Sequence, residues 1–199
     1  MNLNSFCTAL SPKHFRDLAR NFRNHRWDRN DDGDILISHA RISGMYETFC
    51  NDGLGSVKTP NLITTEGANY LISCGVAGGV AYGTFYVAPF SGNITVVDTI
   101  TAATFASAAT EISTYAESTR VAFVESVPAS KSSTNTANPS VFTASADNIS
   151  VWGAGLLSSA TKLSTAGVLL SIAKYSSARS LATTGDTLGV KYTLSLSNG

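Results

Sequence analysis

Histidine is nearly missing from this chain of 199 residues: its three copies (His14, His25, His39) all lie in the first forty positions. The rear of the chain therefore lacks the commonest general base. It also lacks a GxSxG elbow and an HExxH pair. Cysteine is equally sparse. Cys7, Cys50 and Cys74 are odd in number, widely spaced and free of any CxxC, so neither a zinc site nor a disulfide framework is suggested. They read as reduced thiols of a protein made in a cytoplasm. No apolar run approaches the ~18 residues a membrane span needs, and no long apolar core follows a basic start, so no signal peptide is expected.

Net charge is absent too. The 14 basic and 14 acidic side chains cancel, which argues against bulk attraction to nucleic acid or an anionic membrane. Their placement is uneven: residues 1–60 hold eight basic and seven acidic groups, and the other 139 residues hold six and seven. That rear portion is rich in Ser, Thr, Ala and Gly. Such a composition suits a β protein whose surface is carried by hydroxyls, and it leaves room for faces that meet other subunits. The length allows one well-buried domain plus an appendage.

The clearest positive signal is Thr187–Ser197. Leu188, Val190, Tyr192, Leu194 and Leu196 alternate with small or polar residues, the period of a strand with one buried face. Gly185-Asp186 supplies the turn before it. Further strands are expected over Ile35–Thr48, Thr84–Phe90, Ile94–Val97, Val121–Val127, Val141–Ala146, Ile149–Leu157 and Val168–Tyr175. Turns are read at Asn51–Gly55 and Ser91–Asn93, and a tight connection at Asp147-Asn148. Pro128–Pro139 reads as a polar loop long enough to reach a neighbour. Residues 101–120, dominated by Ala and Thr, suit a short helix or a covering loop. Between Pro60 and Gly75, Thr64 or Thr65 can cap a short helix with Glu66 in its first turn, Ala68, Leu71 and Ile72 as its apolar stripe and Gly75 as its stop. Gly75–Gly79 lacks the Lys-Ser/Thr of a phosphate loop. The fold class is mainly β: a β-sandwich, jelly-roll or immunoglobulin-like, over residues 35–199.

Residues 1–34 read as an appendage, an extended arm followed by a short amphipathic helix. Ser11-Pro12 gives an N-cap and a first-turn proline. Phe15, Leu18, Ala19 and Phe22 then share a face, with Arg16, Arg20 and Arg23 on a neighbouring one. The arginine row suits solvent, an acidic protein surface or phosphate; without aromatic or Gly-rich companions it does not read as a nucleic-acid motif. Asp28, Asn30, Asp32, Gly33 and Ile35 match a calcium loop, but His39 stands where a bidentate Glu should close the shell. Imidazole suits a hard cation poorly, and an acidic turn leading into a strand is the preferred reading.

The rear carboxylates (Glu66, Asp98, Glu111, Glu117, Glu125, Asp147, Asp186) are scattered. A glycosidase pair would need two of them to meet; solvated or turn-bound roles fit their spacing better. Trp27, Trp152 and the tyrosines could form a sugar platform, although Trp152, between Val151 and Gly153, reads as core. No catalytic residue, cofactor site or metal site is expected.

Four stretches carry a resemblance: Thr59-Pro-Asn-Leu-Ile-Thr-Thr-Glu-Gly-Ala-Asn-Tyr-Leu, Gly83-Thr-Phe-Tyr-Val-Ala-Pro-Phe-Ser-Gly-Asn, Ile149-Ser-Val-Trp-Gly-Ala-Gly-Leu-Leu-Ser-Ser and Gly185-Asp-Thr-Leu-Gly-Val-Lys-Tyr-Thr-Leu. Together they resemble a family of small virion structural proteins of tailed bacteriophages, across roughly residues 35–199. The resemblance implies a virion component assembled in the host bacterial cytoplasm. Within the virion the expected role is a capsid decoration, or cement, protein that binds the major capsid protein and self-associates as a dimer or trimer. Phe15, Arg16, Leu18, Arg20, Phe22 and Arg23 are the expected partner-binding residues. A tail or connector component, or a fibre-tip module for host glycan, is the alternative.

Overall fold

A computed structural model describes residues 40–198 of the chain. The chain divides into two compact units, Met1–Ile42 with Leu196–Gly199 and Ser43–Ser195; the architecture below is that of the second, with its first and last strands given at their full length. Its elements, in order, are β1 (Ala40–Phe49), β2 (Val57–Pro60), β3 (Leu62–Ile63), α1 (Thr65–Val76), β4 (Phe85–Phe90), α2 (Ala102–Ala108), β5 (Val121–Phe123), β6 (Ser132–Thr134), β7 (Ser140–Thr143), β8 (Ile149–Leu157), β9 (Leu169–Leu181) and β10 (Thr187–Asn198). Among the described residues they form two antiparallel five-stranded sheets, a β-sandwich. One has the order β2-β1-β10-β6 with β7 also on β10, and the other β3-β9-β8-β4-β5.

β10 is the strand its alternation predicts. Leu188, Val190 and Tyr192 are fully buried and face Val87, Val151, Leu156, Leu170 and Tyr175 of the opposite sheet. The rings of Tyr46 and Tyr192 meet at a tilt of 47° with centroids 4.6 Å apart. The Tyr46 hydroxyl crosses the core to Ser171 Oγ at 3.1 Å.

The second sheet is buried on its other face as well. Ala88 and Phe90 of β4, Leu157 of β8, and Leu169 and Ile172 of β9 point away from the first sheet into a separate apolar cluster. Ile100, Ala102, Phe105 and Ala109 roof that cluster from α2 and its flanks, and Ile94 and Val96 pack at its side. The strand expected at Ile94–Val97 is therefore not a strand. These residues run as an extended cover, because both neighbours of β4 are already β5 and β8. Phe90 and Phe105 meet edge to face at 6.1 Å. The glycines of β8 make room for them: a Cβ on Gly153 would strike the Phe90 ring, and one on Gly155 would come within 2.7 Å of Phe105. Trp152 is half-buried at the rim of this cluster rather than inside the sandwich, with Lys174 Nζ 5.5 Å from its ring centroid.

Other boundaries differ from expectation for local reasons. α1 is capped by Thr64, whose hydroxyl accepts from Gly67 N at 2.9 Å and donates to Leu169 O. It runs through Gly75 to Val76. Its buried face is Gly67, Tyr70 and Leu71, while Ile72 is 60% exposed; Gly67 is required because Leu170 backbone occupies the place of a Cβ. β5 ends at Phe123, leaving Val124 and Val127 exposed. The polar segment Pro128–Pro139 contributes β6, paired Thr193↔Thr134 through Ser195↔Ser132. β9 runs on to Leu181, opposite Ile149. The gap between β6 and β7 is filled by one residue, Asn135, whose backbone N–H donates to Tyr192 O at 3.3 Å. Buried Asn135 accepts from Tyr192 N at 2.7 Å and donates to Val190 O at 3.3 Å, standing in for a missing ladder residue.

Two buried arginines fasten the loops. Arg120 forms a bidentate pair with Glu111 at 2.8 and 2.7 Å, both side chains fully buried, and also donates to Ser159 O and Ser164 O. Arg179 pairs with Asp52 at 2.8 Å and donates to Gly55 O at 2.7 Å, holding the β1–β2 turn. Burial works against the Asp52 carboxylate, yet the Leu54 N–H, Cys50 and Arg179 hold its pKa below the ordinary value.

Two consequences are measurable by chemical denaturation of the full chain. Glu111→Ala leaves the Arg120 guanidinium buried and unpaired and should lower stability by about 3–5 kcal/mol. Gly153→Ala should cost about 1–3 kcal/mol by overpacking against Phe90.

Candidate functional site

Most acidic side chains of the described region are already held by partners within the fold. Glu66 accepts from Ala102 N at 2.8 Å and Leu169 N at 2.7 Å, so it links the first turns of both helices. Asp98 accepts from the Thr65 hydroxyl, Glu117 from Thr143 N, Asp147 from Thr184 N and hydroxyl, and Asp186 from Thr183 N. Turn-bound roles are what the sequence suggested for these groups. Glu111 departs from that expectation, because it is an interior ion-pair partner rather than a surface acid. Glu47 is held by Ser56 and Lys191, and Asp52 by Arg179. Among the described residues, Glu125 is the one carboxylate with neither a hydrogen-bond nor an ion-pair partner.

Glu125 lines the mouth of an apolar cavity of about 300 Å³. The cavity opens between α1, the segment that leads into β4, and the β5 and β6 edges of the two sheets. Its floor is Leu156, Leu170, Tyr192 and Leu194; its wall is Tyr70, Tyr82, Phe85 and Phe123. Tyr70, Tyr82 and Phe85 brace one another, with centroids 5.5 Å from Tyr70 to each partner and 6.3 Å between Tyr82 and Phe85. Tyr70 also accepts from Tyr82 N at 2.9 Å, which fixes the returning chain after Gly78, a residue with φ of 69°. Tyr82 is 46% exposed and separates this cavity from a more open hollow of about 500 Å³ lined by Asn69, Ser73 and Val168.

Phe15, Arg16, Leu18, Arg20, Phe22 and Arg23 lie outside the described residues, as do Trp27, Cys7 and the Asp28–His39 segment. Cys50 and Cys74 are free thiols. Cys50 sits 3.4 Å from two Arg179 nitrogens, and burial leaves its pKa raised despite them. Cys74 lines the cavity. Among the described residues no cluster of three or more His, Cys, Asp or Glu could hold a metal ion, and no helix is long and apolar enough to cross a membrane. The cavity's one signal in the sequence is the aromatic density of Tyr70, Tyr82, Phe85, Tyr86 and Phe90.

Comparison of the chain with family models, curated proteins and solved structures finds no match.

The phenols of the interior give a pH signature. Burial pushes the Tyr192 hydroxyl from its ordinary 10.0 up to about 12, and it raises Tyr46 and Tyr175 as well. The folded state thus keeps protons that the unfolded chain releases near pH 10, so this stability is complete below pH 10 and is lost as pH climbs toward 12. The tyrosinate absorbance that belongs to Tyr46, Tyr175 and Tyr192 should rise in a cooperative step that coincides with loss of far-ultraviolet circular dichroism. Ionisation of all seven tyrosines near pH 10 in a protein that keeps its circular dichroism would contradict the burial.

Proposed function

We propose that the chain is a bacteriophage virion structural protein, a capsid decoration or cement protein that binds and stabilises the shell of major capsid protein. The observation that carries this reading is the commitment of the sandwich's polar groups to its own architecture. Its arginines clamp loops, and its carboxylates cap helices and turns. Hydroxyls such as Thr134, Thr193, Ser132 and Ser195 pair with one another along β6 and β10. Such a surface serves docking rather than proton transfer. The four stretches that resemble virion proteins coincide with β2, β3, α1, β4, β8 and β10, so the resemblance speaks for a shared framework.

In this reading residues 1–34, for which the sequence predicts an arm and a basic helix, supply the grip on neighbouring capsid subunits. Phe15, Leu18 and Phe22 would each contribute about 1.5–3 kcal/mol when buried there, before ordering costs. Repetition around a lattice multiplies the effect. The protein acts in the virion, is assembled in the host cytoplasm, self-associates as a dimer or trimer, and uses no cofactor, membrane or nucleic acid. The aromatic cavity favours a second reading, a fibre-tip module or tail component.

Quantitative gel densitometry of purified particles separates the two. A cement protein should be present in hundreds of copies per particle, a tail or tip component in a few. Deleting residues 1–30 should leave the folded sandwich in the supernatant while particles lose it; undiminished incorporation would overturn the role given to the arm.

A further inference from the structure

We propose that the cavity beside α1 is a binding site for a small organic cation with a ring-sized apolar body, an arylalkylammonium ion. This inference is independent of the virion reading. Three observations define the ligand. The volume, about 300 Å³, lies at the small end of ligand cavities and is about twice that of an apolar cavity known to take a benzene ring. The floor is wholly apolar apart from the Tyr192 phenol, whose hydroxyl is occupied by Asn61 at 2.9 Å. A ring entering there therefore displaces no polar group from its partner.

The third observation is the charge at the mouth. Glu125 is exposed, lacks a partner among the described residues, and is the single charged side chain lining the cavity. The exposed face of Tyr82 stands in the same wall. A carboxylate and an aromatic face together attract an ammonium group and repel a carboxylate ligand. The apolar body then sits on Leu156 and Leu170, and the cation stays at the rim, where water still reaches it.

The test is calorimetric titration of the full chain near neutral pH with phenethylammonium, and with hydrocinnamate as a size-matched anion. Phenethylammonium should bind about fivefold more tightly than hydrocinnamate, the scale of an exposed charge contact. Glu125→Gln should bring the ratio to about one while both ions still bind. Thr84→Trp, at an exposed wall position, should abolish binding of both; Cys74→Met provides the same blockade from α1 if the tryptophan variant does not fold. Absence of binding by either ion to the unaltered chain would overturn the proposal. So would equal affinity for the two ions, a ratio that survives Glu125→Gln, or binding that ignores the blocking substitutions.

Discussion

The middle of the β3-β9-β8-β4-β5 sheet has no solvated side, and covering both of its faces sets the rest of the design. One face takes the β1-β10 sheet, through Tyr46, Val190 and Tyr192. The other takes α2 and the extended chain before it, through Phe105 and Ile94. A strand buried twice cannot alternate apolar with polar. β8 accordingly reads Val-Trp-Gly-Ala-Gly-Leu-Leu, with Gly153 where the Phe90 ring of β4 lies against the backbone and Gly155 where the Phe105 ring of the roof does.

Covering a sheet with loops rather than with a second sheet creates a polar difficulty, since loop backbone brought against a core needs partners. Arg120 and Glu111 address this. The guanidinium gives two donors to the carboxylate and two to the carbonyls of Ser159 and Ser164, and Leu163 N returns a bond to Glu111 at 3.2 Å. Lys162 adds bonds to Ser113 O and Tyr115 O while lying 3.6 Å above the Tyr115 ring. Long-range fastening of this kind secures the connections in geometry, not through apolar area.

Legibility in the sequence followed burial. β10 has one wet face, and its period-two pattern displayed the strand in full. β8 was recognised by length and by its β-branched and aromatic content, but its second buried face was invisible because a continuous apolar run does not say what lies on either side. Ile94–Val97 has the composition of a strand and the position of a cover, and composition alone could not tell them apart. The helix cap at Thr64 was readable because capping is local. The Glu111–Arg120 pair could not be read as buried, since nine residues of separation carry no geometry. The cavity was hidden for the same reason: it is assembled from α1, β4, β5, β6, β8, β9 and β10, and only the fold brings Glu125 to Tyr82.

Asn135 carries a consequence for how such a chain can diversify. One residue joins the end of β6 to the start of β7 along β10: the backbone N–H of Asn135 donates to Tyr192 O at 3.3 Å, and its amide side chain bridges Tyr192 N and Val190 O. The hydrogen bonding of the central strand is thereby uncoupled from the length of the segment between Asn135 and Ser140. Extra residues can be inserted there without shifting the pairing on either side, which makes this bend the natural place for new surface features to be grafted onto an unchanged scaffold.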